Sequence, residues 1–183
     1  MPFIKIDEKE FEVAKGTTVL QAALANGIEI PHYCYHPVLE VVGSCRMCLV
    51  QVEGMPKLQA SCNTLIGEAP SNKKLDGKYD MVVNTQTDVV KQERKNILEF
   101  LLLNHPLDCP VCDQAGECYL QDYTFKYGNA HSRFKEEKRV RPSEFLGSNI
   151  VINQDRCILC SRCVRFTREI SGTNELFVQN RGY

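Results

Sequence analysis

Ten cysteines and one histidine in this 183-residue chain fall into three spaced sets, and no cysteine lies outside them. Cys34, Cys45, Cys48 and Cys62 form C-x10-C-x2-C-x13-C. His105, Cys109, Cys112 and Cys118 form H-x3-C-x2-C-x5-C, and Cys157, Cys160 and Cys163 form C-x2-C-x2-C. Soft thiolate ligands select iron–sulfur clusters, copper(I) or zinc. Three cysteines at x2, x2 repeat a bacterial iron–sulfur spacing, and a solitary cysteine ahead of a close pair is a looser form of the plant-type one. These sets imply a scaffold for a row of redox centres.

Two other readings of the cysteines compete with this one. An even number allows five disulfides, but these need an oxidising compartment, and the N-terminus MPFIKIDEKE lacks the long apolar core of a signal peptide. Zinc sites usually pair two C-x2-C units. A zinc-stabilised interaction module without electron transfer is therefore the alternative from another class.

Composition narrows the function further. The formal net charge is −1, so no strong field gathers nucleic acid or an anionic membrane. The most apolar helical stretch, Ile97 to Leu103, is too short to span a bilayer and carries Glu99. The expectation is a cytosolic protein, or one peripheral on a membrane complex, with no direct membrane insertion. Glycines are never closer than ten residues apart, which excludes G-x-G-x-x-G and Walker A loops. No H-E-x-x-H or Ser-His-Asp signature offers a catalytic residue.

The pattern predicts an α+β chain in three modules. Residues 1–80 read as a small domain. Phe3, Ile4 and Ile6, then Phe11 and Val13, bracket a polar turn at Asp7–Glu10 and suggest a hairpin. Thr17 or Thr18 caps a helix bearing Val19, Leu20, Ala23 and Leu24, which Asn26-Gly27 ends. Leu49, Val50 and Val52 are strand-like, Gly54-Met55-Pro56 turns the chain, and Leu58 to Ser61 returns it to Cys62. Cys34, Cys45 and Cys48 thus fall on a long irregular loop. Residues 81–140 read as mainly helical after a strand at Val82-Val83. One helix is expected over Asp88 to Asn104, stopped by His105-Pro106, and another from Ala115 to Tyr127 with Gly128 as its cap. Residues 141–183 suggest a strand at Ile150 to Ile152, a helix from Cys163 to Ile170 and a strand at Leu176-Phe177-Val178. Such small cores are marginal alone, so bound clusters would supply part of the folding free energy.

The ligand count refines the sets. The first supplies four thiolates, enough for a 2Fe–2S cluster with two per iron, and Gly43-Ser44 lets the loop wrap tightly. The second supplies three thiolates and the imidazole of His105, four ligands for a 4Fe–4S cluster. A neutral imidazole leaves that cluster one negative charge lighter and shifts its potential. The third has three thiolates for a second 4Fe–4S cluster and lacks a fourth; ten cysteines and His105 make eleven ligands where three clusters need twelve. Either the fourth ligand lies in sequence absent here, or the site is empty or three-ligated; the abrupt end favours a fragment. His32, His36 and His131 are ordinary residues on this reading. The mixed-charge run Lys135 to Arg141 is a solvated face, and Tyr119, Tyr123 and Tyr127 make a packed helix face.

EIPHYCYHPVLEVVGSCRMCLVQVEG, NHPLDCPVCDQAGECYLQDY and DRCILCSRCVRFTREISGTNEL together resemble the N-terminal part of the large iron–sulfur subunit of NADH:quinone oxidoreductase, respiratory complex I. The layout is similar to that of the diaphorase iron–sulfur subunit of NAD-reducing hydrogenases and of some NAD-dependent formate dehydrogenases. The resemblance covers essentially the whole chain. It implies a ferredoxin-like β-grasp domain over 1–80 with 2Fe–2S on Cys34, Cys45, Cys48 and Cys62. A 4Fe–4S domain would follow over 81–140 with His105, Cys109, Cys112 and Cys118, then an incomplete ferredoxin-type domain over 141–183 with Cys157, Cys160 and Cys163. It also implies a flavin-bearing NADH-oxidising partner and other peripheral-arm subunits, on the cytoplasmic side of the inner membrane. Electrons would pass singly toward quinone, with no substrate site on this chain.

Overall fold

A computed structural model describes residues 1–67 and 77–179. Its elements are β1 (Phe3–Ile6), β2 (Lys9–Glu12), α1 (Val19–Ala25), β3 (Leu49–Val52), β4 (Gln59–Ala60), β5 (Met81–Asn84), α2 (Asp88–Leu102), α3 (Tyr119–Tyr127), β6 (Glu144–Phe145), β7 (Val151–Ile152) and α4 (Arg162–Glu169). The chain divides into two compact units, one of residues 1–93 with 161–183, the other of residues 94–160. The border falls inside α2. Residues 68–76 and 180–183, parts of the expected first and third modules, lie outside the described residues.

The first unit is built on a five-stranded mixed sheet in the order β2-β1-β5-β3-β4. β1 runs antiparallel to β2 and parallel to β5. Alternation sends Ile4 and Ile6 inward, both fully buried, with Lys5 pointing away. Met81 and Val83 of β5 and Val50 and Val52 of β3 join them, together with Val19, Leu20, Ala22 and Ala23 of α1. Each large aliphatic side chain buried here contributes about 1.5–3 kcal/mol. Cys48 and Cys62 belong to the same core, so the ligand residues and the packing of the sheet are one structure.

Local signals account for most boundaries. Thr18 caps α1 in a capping box with Gln21, and Gly27 follows the helix at φ 65°, a conformation open to glycine. The hairpin turn is tighter than expected: β2 begins at Lys9, because Asp7 takes φ 52° and its carboxylate accepts bonds from the Thr85 N–H and hydroxyl at 2.7 and 2.6 Å. β4 is only two residues long.

The second unit has little apolar core. Among its described residues only Leu98 and Leu120 are buried aliphatics. Polar ties take over. Glu99, with its side chain 6% exposed, accepts from the Arg133 N–H at 2.9 Å and from Nε at 2.8 Å. Lys138 Nζ donates to the Leu102 and Leu103 carbonyls at 2.5 and 3.1 Å, a cation on the C-terminal end of α2. That side chain is a helix cap rather than part of a wholly solvated basic face. Tyr119 and Tyr123 stack with ring centroids 5.8 Å apart, and Tyr127 tilts at 55° against Tyr123 at 5.9 Å. Arg94 lies over the Tyr127 ring. Tyr119 is 59% exposed, so this face stacks on itself more than it fills a core.

Four expectations change. α2 ends at Leu102, because the chain enters a turn before His105. α3 starts at Tyr119, not Ala115: Gly116 takes φ 86° and residues 113–117 turn instead. The strand at Ile150–Ile152 shortens to β7 and pairs with β6, whose two exposed residues carry no strand signature. Leu176-Phe177-Val178 forms no strand among the described residues, since an apolar triplet needs a partner edge. Among those residues, no helix is long and apolar enough to cross a membrane.

Candidate functional site

The first set gathers where the loop between α1 and β3 meets the β3–β4 return. Leu49 pairs with Ala60, and the Ser61 N–H donates to the Cys48 carbonyl at 3.1 Å, which sets Cys48 beside Cys62. Cys34, Cys48 and Cys62 are buried and Cys45 is half-buried. Gly43 and Arg46 bend the loop at φ 60° and 59°. A Cβ at Gly43 would meet nothing within 4 Å. The left-handed backbone at Gly43 is one that glycine adopts without strain.

The four thiols interact directly. Cys34 is held far below the usual thiol range by hydrogen bonds from Cys45 and Cys62, with Ser44 adding a weaker one. Cys48 is lowered to about 6, chiefly by the Cys62 thiol, with Ser61 assisting. Ser61 Oγ is fully buried without a hydrogen-bond partner. Cys45 is pushed up by its bond to Cys34, and Cys62 by its bonds to Cys34 and Cys48. Iron binding to these four interacting thiols would displace their protons. The donor set therefore fits a 2Fe–2S centre.

α4 reaches this loop from the far end of the chain. Arg165, 2% exposed, donates to the Cys34 carbonyl, to the Glu40 carbonyl at 2.6 Å and to Ser161 Oγ at 3.3 Å. Arg162 donates to the Tyr35 carbonyl at 2.7 Å, and the Glu40 N–H donates to Glu169 at 2.8 Å. The sequence reading missed these residues. Their only trace is the i, i+3 spacing of Arg162 and Arg165 on a short helix, which points to one face but to no partner.

The second set lies on the α2–α3 connection. His105 is half-buried, and burial lowers its pKa; Lys138 and Arg156 act the same way and Asp108 opposes them. The favoured neutral imidazole keeps the lone pair a metal needs. Cys109 opens a 3-10 turn, closed by the Cys112 N–H donating to the Cys109 carbonyl at 3.1 Å. Cys118 is the N-cap of α3. All three cysteines are half-buried. Arg156 bonds Asp108 at 2.6 Å, joining the residue before Cys157 to the residue before Cys109. Three thiolates and an imidazole fit the four corners of a 4Fe–4S centre.

In the third set, Cys157 and Cys160 close the second unit and Cys163 lies in α4 of the first. Leu159 and Ser161 both take left-handed backbone, at φ 53° and 58°. The Leu159 N–H donates to Cys157 Sγ at 3.4 Å. Among the described residues no three His, Cys, Asp or Glu groups are placed to hold a single metal ion.

Comparison with known proteins follows this division. Residues 3–69 match the 2Fe-2S iron-sulfur cluster binding domain, residues 94–133 the NADH-ubiquinone oxidoreductase-G iron-sulfur binding region, and residues 147–183 the ferredoxin-like domain of NADH-quinone oxidoreductase subunit 3. The chain is 47% identical over 179 residues to an NADH-quinone oxidoreductase subunit of Rickettsia bellii, covering 98% of this chain and 25% of that protein. It is 46% identical over 177 residues to the NADH-ubiquinone oxidoreductase 75 kDa subunit of Reclinomonas americana, covering 97% and 24%. The chain thus spans about a quarter of the length of these curated relatives. Among solved structures, a chain of an NAD+-reducing NiFe hydrogenase in the H2-reduced state superposes with a TM-score of 0.83 at 30% identity, covering 98% of this chain and 71% of that one. The matched regions carry a 2Fe–2S and 4Fe–4S complement.

Proposed function

Because this chain belongs to the iron–sulfur subunit family of NADH:quinone oxidoreductases, which extends to NAD-reducing hydrogenases, we propose that it relays single electrons from a flavin-bearing NADH-oxidising partner toward a quinone-reducing module. The observation that carries the reading is the gathering of Cys34, Cys45, Cys48 and Cys62 where the α1–β3 loop meets the β3–β4 return. A 2Fe–2S centre held by these four thiolates would supply one-electron redox chemistry there.

The chain's own residues bind, orient and shield. Cys34, Cys45, Cys48 and Cys62 hold the 2Fe–2S centre in a β-grasp domain over 1–80. His105, Cys109, Cys112 and Cys118 hold a 4Fe–4S centre in the module over 81–140. Cys157, Cys160 and Cys163 give three ligands to a second 4Fe–4S centre in the module over 141–183. The sheet core keeps water from three of the first four sulfurs, and the Leu159 N–H donates to the Cys157 sulfur. The working place is the peripheral arm of a membrane complex, on the cytoplasmic side of the inner membrane, beside its other subunits.

The structural match to a hydrogenase chain supports a second reading, the diaphorase module of a soluble NAD-reducing hydrogenase or formate dehydrogenase. The higher identity to the oxidoreductase relatives favours the first.

The test is iron, sulfide and zinc analysis of the anaerobically assembled chain, with EPR after reduction. A 2Fe–2S signal and at least one 4Fe–4S signal are expected. NADH–ferricyanide turnover should arise only with a flavin-bearing partner. A colourless, zinc-rich protein would overturn the proposal. Co-purification with a hydrogenase large subunit would select the second reading.

A further inference from the structure

We propose that Arg165 is the positioning residue of the first centre: it fixes the Cys34–Glu40 stretch of the ligand loop and sets a positive charge beside the Cys34 ligand. The proposal rests on the reading of Cys34 as a cluster ligand.

The geometry is that of a clamp. Arg165 uses all three of its nitrogens, on the carbonyls of Cys34 and Glu40 and on Ser161 Oγ. Those two carbonyls bracket the loop that leads away from Cys34. Arg162 and Glu169, one turn either side, take the Tyr35 carbonyl and the Glu40 N–H. A planar guanidinium can serve two carbonyls at once, which an ammonium cannot.

The charge points the same way. Every hydrogen-bond partner of Arg165 is neutral. Glu169 lies within its field but bonds Arg168 and the Glu40 N–H. A cation buried to 2% exposure is costly without an opposite charge nearby. Four thiolates around two ferric ions and two sulfides carry two net negative charges, and three after one electron arrives. That is the counter-charge the buried guanidinium calls for. It also attracts the reduced form more than the oxidised form, so Arg165 raises the midpoint potential.

The experiment assembles the 2Fe–2S centre in the whole chain and compares Arg165→Met, Arg165→Lys and Arg168→Met. Arg168, 53% exposed on the same helix, bonds Glu169 and lies 4.0 Å from the Glu40 carboxylate but donates to neither the Cys34 nor the Tyr35 carbonyl, so it controls for loss of helix charge. Midpoint potential, reduced-state EPR line shape and the rate of iron loss to a chelator are read together.

Arg165→Met should lower the midpoint, alter the line shape and speed iron loss at least about tenfold, the scale of a lost charged hydrogen bond. Arg165→Lys should hold the midpoint near native yet release iron faster. Arg168→Met should behave as wild type. A native midpoint and line shape in Arg165→Met would overturn the proposal, as would an equal shift in Arg168→Met. If Arg165→Met does not fold, Arg165→Lys decides: iron loss and line shape unchanged from wild type would overturn it. A wild-type chain without a 2Fe–2S signal would instead overturn the reading beneath it.

Discussion

Leu20→Ala probes whether the sheet core and the first ligand set are one cooperative structure. Leu20 is fully buried on α1, shares its core with Cys48 and Cys62, and its N–H donates to the Ser61 carbonyl at 3.0 Å. Truncating such a leucine leaves a cavity and costs about 3 kcal/mol. A unit of this size is stable by roughly 5–10 kcal/mol, so the loss is a large fraction of the whole. Each kilocalorie moves the melting temperature about 4–8 °C in a domain of 60–100 residues, which gives a fall of about 12–24 °C. Iron binds the folded form and adds its own stabilisation. The assay is far-UV circular dichroism of the iron-free chain beside loss of visible absorbance in the loaded chain, both against temperature. The iron-free variant should melt close to ambient temperature, while the variant loaded in the cold should keep its colour well above that. An iron-free variant melting within about 4 °C of wild type would refute the packing argument. Identical melting with and without iron would refute the link between core and ligands.

Three further outcomes follow. Removing iron should expose residues 94–160 to protease before the β1–β5 sheet, because that unit buries so little apolar surface; limited proteolysis with mass mapping reads the order, and sheet cleavage first would contradict it. His105→Ala should lose the second centre and spare the 2Fe–2S signal, whereas His105→Cys should keep a centre of lower midpoint, because an added anionic ligand disfavours the incoming electron; redox titration followed by EPR checks both, and unchanged spectra would remove His105 from the ligand set. Arg133 holds the Glu99 carboxylate below its usual range; its folded pKa lies under the unfolded one, so its stabilising contribution is full above about pH 4.3 and fades as the pH falls through the folded value. Glu99→Gln should therefore weaken the chain at pH 7 and flatten its acid-side loss of stability, and denaturant titrations at pH 7, 5 and 3 with the same slope in both proteins would refute this.

How much was legible depended on the range of each signal. The cap at Thr18, the stop at Asn26-Gly27 and the spacing of Cys45 and Cys48 are local chemistry, and α1 and the ligand loop fall where that chemistry puts them. The alternation of Ile4 and Ile6 shows a strand, but nothing in it says that β1 lies beside β5, whose Met81 is 77 residues away in sequence from Ile4. β6 pairs through two exposed residues and has no periodicity to read. Leu176-Phe177-Val178 misled because an apolar triplet resembles a strand whether or not an edge awaits it. The helix start at Tyr119 was displaced by Gly116, whose left-handed backbone only the fold reveals. Arg165 was the largest omission: the loop carbonyls it holds lie 125 to 131 residues upstream, and no spacing rule reaches so far.

That separation bears on how the protein is made. The ribosome delivers Cys34 first and Arg165 only after another 131 residues, roughly 7–26 s later at ordinary synthesis rates. Through that interval the sheet strands are emerging while the loop bearing Cys34 and Cys45 has no helix to hold it. Iron and sulfide delivered early would meet a loose loop with reactive thiolates, open to wrong metals and oxidation. Delivery after α4 has emerged would meet a loop already restrained. Supplying iron and sulfide before or after α4 has emerged would therefore change the rate and fidelity of maturation.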